Sequence, residues 1–483
     1  VNSKLIILFF PYGDTTMPAF GPNGAILNNA IQTNMLQKAF VDPLVNKLMY
    51  REISDKEEFE GRMGYTITKT RMGLMIPNLT PLAANQNTNI DNGMTPIQYS
   101  DEQYTIGIAQ YPQPAPDVNL MDDEVTIASF AMANSERLGV AQATCVDRLA
   151  RNVLFNAYMS GNTFITATAS SVTQNVDDTR GFQTVVVSTT QTGGTVVPVS
   201  PSAPLAVFVN GVANTVIGFT NDVTNISTVA GIGGTSGTIT LGTTASTTAG
   251  QAVVSGFAPL VVRPNGRVSS YALQAGDLFN MTSMLAAVSY LRNNAVPKVR
   301  GKYNCYLNST SMNQLFQDPE FQILNRGRGV DDPVYKDAEV YEFLDIRLIQ
   351  TTETYVQPAG QVDASVTVPQ SVQRPIVCGA GALIENVFTK GLNAIKNLQG
   401  NEEIGRTEDS APMRLLLPEK VSKMGFYYHI RPPIDRLGQI MSQTSNYVGG
   451  FVVPTDTTTT NAIIPTASNA YYKRAVIIET ASS

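Results

Sequence analysis

The stretch from Asp122 to Gly161 constrains the fold more than any other part of the chain. It opens with Asp122, Asp123 and Glu124, acidic side chains that suit the positive end of a helix macrodipole and cap orphan N–H groups. From Leu138 onward, Leu138, Ala141, Cys145, Leu149, Val153 and Ala157 recur in steps of three and four, which predicts a core-facing stripe. Glu136, Asp147, Arg148 and Arg151 fall off that stripe, with Asp147 and Arg151 one turn apart. Gly161 and Asn162 end the pattern, so an unbroken helix would span about 55–60 Å at roughly 1.5 Å per residue. A helix of that length serves as a strut.

Around it lies material for several cores. A chain of 483 residues, 43% of them hydrophobic, makes about two to four folded domains. Its net charge of −6 argues against a phosphate-binding surface as the main business, because such proteins are usually basic. Cys145, Cys305 and Cys378 are odd in number and far apart, which suggests neither a disulfide framework nor a zinc site and fits a reducing compartment. At the start, Leu5 to Phe10 is apolar behind one lysine, but it is too short to span a membrane and no small-x-small cleavage site follows. The reading preferred is that translation begins at Met17, with residues 1–16 read from upstream message and Gly13-Asp14 spelling a purine-rich ribosome site.

In chain order, 17–60 reads as an arm whose amphipathic segment carries Ile31, Met35, Leu36, Phe40 and Leu44. Gly64 to Pro77 and Gln103 to Gln110 predict two strands, joined through a polar tip at Asn85 to Thr95 and ended by Pro112, Pro114 and Pro116. Between Arg180 and Arg263 the composition shifts to Val, Thr, Ser and Gly, with Asp222 the sole charge, and short apolar runs predict a small β-sandwich or barrel. Beyond it, Gly276-Asp277 is expected to open a helix carrying Leu278, Met281, Leu285, Val288 and Leu291. Tyr303 to Leu307 and Ile346 to Gln350 predict strands, and Ser309 is expected to cap a helix with Met312, Leu315 and Phe316. After a polar excursion from Gln357 to Gln373, Pro375 to Cys378 and Leu383 to Phe388 predict strand then helix. The tail reads as strands at Arg414 to Leu417, Phe426 to Ile430, Phe451 to Val453 and Ala475 to Ile478.

No set of residues for catalysis emerges. The single histidine, His429, sits in a strand-like aromatic run and reads as a packed or edge side chain, not a general base. There is no Walker A, H-E-x-x-H or G-x-S-x-G motif. Gly379-Ala380-Gly381 lacks the third glycine of a phosphate loop and reads as tight strand-helix packing. Arg326-Gly327-Arg328-Gly329, followed by Asp331 and Asp332, reads as a solvated loop or subunit contact, and Glu402-Glu403 and Glu408-Asp409 as solvated acids. No catalytic, cofactor-binding or metal residue is therefore assigned, and no cofactor.

The order of parts resembles the major capsid proteins of tailed bacteriophages, which share the Hong Kong ninety-seven fold. A closer resemblance is to the podophage family that includes the coliphage N-four shell protein. It is carried by Asn78-Leu79-Thr80-Pro81-Leu82, Gly93-Met94-Thr95-Pro96, Ala109-Gln110-Tyr111, Leu138 to Thr144 with Asp147, and Asn152 to Gly161. Ile434-Asp435-Arg436-Leu437 with Gln439, and Tyr472 to Val476, continue it. The resemblance implies an α+β chain: N-terminal arm 17–60, E-loop hairpin 61–116, peripheral domain with spine helix 117–180, axial domain 264–400, and returning peripheral strands 401–483. An inserted all-β domain, 181–263, departs from the family pattern.

That resemblance implies a structural function without a reaction: self-association as pentamers and hexamers into an icosahedral virion shell, assembled in the host cytoplasm. The shell would enclose double-stranded DNA without binding its sequence, with scaffolding, portal and decoration proteins as further partners and no membrane. Lys69 on the hairpin would be the residue to join a neighbour's Asn, against the plainer reading of an exposed strand lysine. Two other readings stay open, an encapsulin-like compartment shell and a secreted β-rich adhesin or surface-layer protein.

Overall fold

The computed structural model describes residues 38–42, 44, 48–58, 64–72, 79, 101–119, 121, 123, 130–187, 195–226, 235–256, 258–325, 342–343, 345–363, 366–368, 370–387, 413–415, 424–431, 437, 439–454 and 474–482. The expectations for Met17 and the residues before it, the tip at 85–95, Arg326 to Asp332 and the acidic pairs at 402–409 lie outside them. The fold is α+β and divides into two compact units, one of residues 1–47, 110–144 and 389–448, the other of 48–109, 145–388 and 449–483.

In the first unit an antiparallel sheet is built on Phe426–Arg431, which pairs with Met413–Leu415 on one side and with residues 442–447 of the strand Ile440–Val452 on the other. Val118–Asn119 pairs with Ile440 and Met441, and the strand Ala109–Pro114 also joins Ile440–Val452. Pro112 and Pro114 thus lie inside a strand instead of ending the hairpin, as an edge position permits because no ladder N–H is needed there. Residues 130–144 of the long helix contribute Ser135, Leu138, Gln142 and Ala143 to the buried interior, where Gln142 accepts a hydrogen bond from the Ser445 hydroxyl at 3.0 Å. Phe40 stacks on Tyr428 with ring centroids 5.0 Å apart.

The long helix is described from Phe130 to Met159, about 45 Å at roughly 1.5 Å per residue. Its buried stripe keeps Leu138 and Ala157 of the one the sequence predicts and is otherwise rotated from it. Val146, Asp147, Ala150, Leu154 and Tyr158 are buried, whereas Ala141 is exposed and Cys145, Leu149 and Val153 are half-buried. Phe155 and Tyr158 supply the bulk that decides which way the helix faces, and they outweigh the smaller side chains of the expected stripe.

The second unit centres on a six-stranded sheet in the order Val261–Val262, Ala475–Ile478, Ile376–Cys378, Tyr303–Leu307, Ile346–Gln350, Glu342–Phe343. Every residue of Tyr303–Leu307 is buried, because both faces are covered. Tyr306, Ile376, Cys378 and Ile477 share a core with Ala150, Leu154 and Tyr158 of the helix. Tyr303, Cys305, Leu307, Val377 and Val476 alternate to the other face and pack against the helices Met281–Asn293, Ser309–Gln317 and Pro319–Asn325. The result is a helix-sheet-helix sandwich.

Two helix starts differ from expectation. Asn280 caps the first, accepting from Ser283 N at 2.8 Å, while Asp277 lies outside it and takes hydrogen bonds from Asn265, Arg267 and Gln274. Asn308, not Ser309, caps the second, accepting from Ser311 N at 2.9 Å. Leu383–Val387 is a strand instead of a helix, buried at every position and parallel to Ser54–Glu58. In Leu-Ile-Glu-Asn-Val the apolar residues fall at 383, 384 and 387, a spacing that also suits a helix, and five residues are too few for the period to separate the two. Gly379-Ala380-Gly381 accordingly turns strand into strand, and a Cβ on Gly379 would stand 2.3 Å from Val296 Cγ1. The polar excursion holds a small hairpin, Gly360–Asp363 with Val366–Val368.

The β-rich module is a six-stranded barrel. Its sheet runs Asn162–Phe164, Ala252–Ser255, Leu205–Val209, Val212–Ile226, Thr235–Thr247, Ala169–Val176. A bridge between Ile165 and Val176 closes it, with Thr166 N donating to Asn175 O at 2.9 Å and Asp177 N to Phe164 O at 3.1 Å. Two strands therefore come from before the boundary expected at residue 181. Ile165, Phe182, Val207, Val216, Ile239 and Val253 fill the interior.

Candidate functional site

Thr66–Met72 and Asp101–Gly107 form a two-stranded antiparallel ribbon in unbroken register, from Thr66 opposite Gly107 to Met72 opposite Asp101. Period-two alternation gives it two unlike faces. Ile67, Tyr104 and Ile106 lie on one, where Tyr104 and Ile106 are buried with Ile384 and Val452. Thr68 and Thr105 lie opposite each other on the other face. No third strand joins this ribbon among the described residues. Tyr65 beside it is 84% exposed, and Leu79, within the segment that connects the two strands, is 88% exposed.

The ribbon's base is anchored by charge as well as by apolar packing. Lys69 Nζ pairs with Glu57 of the strand Ser54–Glu58, so the lysine singled out for a bond to a neighbour has an ion-pair partner in its own chain. Ser54–Glu58 is in turn held by a fully buried pair, Arg51 with Glu385 at 2.5 Å, and by Ser54 Oγ donating to Glu385 at 3.0 Å. Asp147, which the sequence placed off the helix's core stripe, is buried and accepts hydrogen bonds from the backbone N–H groups of Met49 at 3.0 Å and Arg51 at 3.3 Å. Burial pushes its carboxyl up to about 6 against the opposing pull of those N–H groups. Arg151 turns instead to Glu353 and Asn152. A second buried carboxylate, Glu479, lies between Arg263 at 2.7 Å and Arg374 at 2.9 Å; burial works against its charge, but the two guanidinium groups hold it below the usual range.

The other residues the sequence singled out are dispersed. His429 sits half-buried on Phe426–Arg431 opposite Thr444. Cys305 and Cys378 are buried on adjacent strands, and burial pushes the Cys305 thiol up to about 12, leaving it a poor nucleophile. Cys145 is half-buried, not a core thiol. Among the described residues no three His, Cys, Asp or Glu side chains gather as a metal would require, and no helix is long and apolar enough to cross a membrane.

Sequence reasoning passed over the turn after the helix Met281–Asn293. Arg292, Lys298, Arg300 and Lys302 fall within eleven residues that hold no acid. That density is a signal readable in the sequence.

Neither protein-family models nor curated proteins give a match to the chain. Among solved structures it is similar to the capsid of Ralstonia phage GP4, with a TM-score of 0.44, 11% identity, and 89% of this chain and 87% of that chain covered. It is similar to the capsid of the cyanophage P-SCSP1u at a TM-score of 0.44 and 11% identity, covering 90% and 89% of the two chains. The acidic stable capsid structure of Helicobacter pylori bacteriophage KHP30 gives a TM-score of 0.44 and 10% identity over 90% of this chain and 91% of that one.

Proposed function

We propose that the chain is the major capsid protein of a tailed bacteriophage, resembling the coliphage N-four type, whose copies associate as pentamers and hexamers into an icosahedral shell around double-stranded DNA. The observation that carries the reading is the ribbon Thr66–Met72 with Asp101–Gly107. Its base is locked by Tyr104, Ile106 and the Lys69–Glu57 pair, while Tyr65 and Leu79 are left in solvent. A two-stranded hairpin is marginal alone and gains stability by lying on another surface. A second copy of the chain provides that surface at the concentration a shell requires, and burial of side chains like Leu79 there contributes about 1.5–3 kcal/mol each.

The other parts support the same role. Residues 145–159 of the long helix share the core of the helix-sheet-helix sandwich, and the barrel is an insertion whose two ends meet at Gly161 and Ala258. Scaffolding, portal and decoration proteins are the further partners of such a shell. Sedimentation velocity on the expressed chain tests the reading. Capsomers or shells are expected, and a folded monomer at micromolar concentration and ordinary salt contradicts it.

A further inference from the structure

The turn joining the helix Met281–Asn293 to the strand Tyr303–Leu307 is cationic in a chain whose net charge is −6. Arg292 and Lys298 both pair with Asp345, Arg292 at 2.8 Å. Arg300 and Arg347 both reach Glu52, at 3.2 and 3.7 Å. Four cations thus share two carboxylates among the described residues, and the half-buried Lys302, beside them, has contacts of its own. Arg300 is 76% exposed, and an exposed pair of that kind contributes little, so its guanidinium is available to another anion.

The backbone presents these charges in a fixed arrangement. Val299 N donates to Lys302 O at 2.8 Å and Lys302 N to Val299 O at 3.1 Å, closing a two-residue turn. Arg300 at φ 50° and Gly301 at φ 85° are both left-handed, as a type I′ turn demands. Asn, Asp or Gly is the usual choice at the first position, and arginine there is unfavourable. Ala295 is left-handed as well, at φ 51°. Lys298 Nζ lies 5.8 Å from the Tyr303 ring centroid, which limits where its stem can go. Strained backbone of this kind collects at binding sites.

The surroundings favour one class of partner. Asn293, Ala295 and Pro297 are exposed between the charges, and Tyr290 is the one large apolar side chain exposed nearby among the described residues. A protein interface wants an apolar centre and little lysine. A string of phosphates wants spaced cations and no apolar centre. We propose that this turn, through Lys298, Arg300 and Lys302 with Arg292 and Arg347 behind them, contacts the phosphate backbone of duplex DNA without regard to base sequence.

Fluorescence anisotropy of the full chain with a labelled mixed-sequence duplex of about 20 base pairs tests this, because each phosphate contact contributes about −0.9 to the slope of log K against log salt. Three to four contacts predict a loss of roughly 40- to 150-fold in affinity between about 50 and 200 mM salt. A Lys298→Gln, Arg300→Gln, Lys302→Gln variant is expected to flatten the slope nearly to zero. Arg300→Gly relieves the left-handed arginine, so it is expected to fold at least as well and still to lower the slope by about one. Duplex binding unchanged in both variants overturns the proposal, and so does equal or tighter binding of poly-L-glutamate, which marks an acidic protein as the partner. Sedimentation of the same samples keeps this separate from the shell reading. Failure of an assembled chain to bind DNA ends this inference alone, and binding by a monomer ends only the other.

Discussion

Asp147 Oδ1 stands 3.0 Å from the backbone nitrogen of Met49, ninety-eight positions away in sequence, and ties the segment before the strand Ser54–Glu58 to the second half of the long helix. Its other oxygen, Oδ2, has no hydrogen-bond partner among the described residues. Arg51, whose N–H the same carboxylate holds, places its guanidinium on Glu385. One buried acid therefore sets the position of the strand that receives Lys69 of the ribbon.

The raised carboxyl of Asp147 gives stability a definite pH dependence. Its folded value of about 6 lies above the usual 3.8, so the folded chain takes up this proton more readily than the unfolded chain. The contribution is fully present below about pH 4 and is lost as pH rises through about 6, a swing of roughly 3 kcal/mol. Glu479 and Asp277 are lowered instead, and what they contribute is lost only as pH falls below the ordinary carboxylate range. Asp147→Asn keeps an oxygen acceptor but does not titrate, so urea denaturation between pH 4 and 7 is expected to lose this acid-side gain. Superimposable profiles for the two proteins would contradict the assignment.

The barrel's closure changes which excision the subunit tolerates. Replacing residues 181–262 by a short Gly-Ser linker, the cut composition suggests, removes four of six strands and strips partners from Asn162–Phe164 and Ala169–Val176. It also removes Val261–Val262, which pairs with Ile477 and Ile478. Replacing 162–257 takes the barrel whole and rejoins positions already in contact, since a Cβ on Gly161 would lie 3.0 Å from that of Ala258. The wider cut loses Phe164 from the main core, about 3–5 kcal/mol by analogy with Phe→Ala, and is expected to stay soluble and fold cooperatively. The narrower one is expected to aggregate. Circular dichroism melts and gel filtration of both decide the matter, and the opposite ranking would refute the closed barrel.

Much of this architecture is legible in the residues. Tyr303–Leu307, Ala475–Ile478 and Phe426–Arg431 are apolar runs bounded by polar or turn-forming residues, and all three are strands. Leu383–Val387 carries Glu385 and Asn386 inside the strand and reads as a helix, because two buried faces erase the alternation that marks a strand. Ala169–Val176, read as Ala-Ser-Ser-Val-Thr-Gln-Asn-Val, carries so little apolar signal that only its partner Thr235–Thr247 makes it a strand. Asp147 defeats pattern reading for a different reason. A charge on a helix is placed outside by default, and the N–H groups that satisfy it lie on a distant segment.

Deleting Asn85 to Thr95 is expected to leave the subunit's melting temperature within a few degrees of the parent. The ribbon's anchoring contacts, Tyr104 and Ile106 on Ile384 and Val452, lie elsewhere. Assembly yield and shell resistance to denaturant are expected to fall, since the deleted tip would lie on a neighbour. A variant that assembles as well as the parent would remove the tip from the intersubunit contact.

Cryo-electron microscopy of the expressed, purified chain tests the central claim most directly. The account predicts closed shells of pentamers and hexamers in which the ribbon Thr66–Met72 with Asp101–Gly107 lies across an adjacent copy and covers Tyr65 and Leu79. Discrete monomers, or assemblies in which Tyr65 and Leu79 remain in solvent, would contradict it.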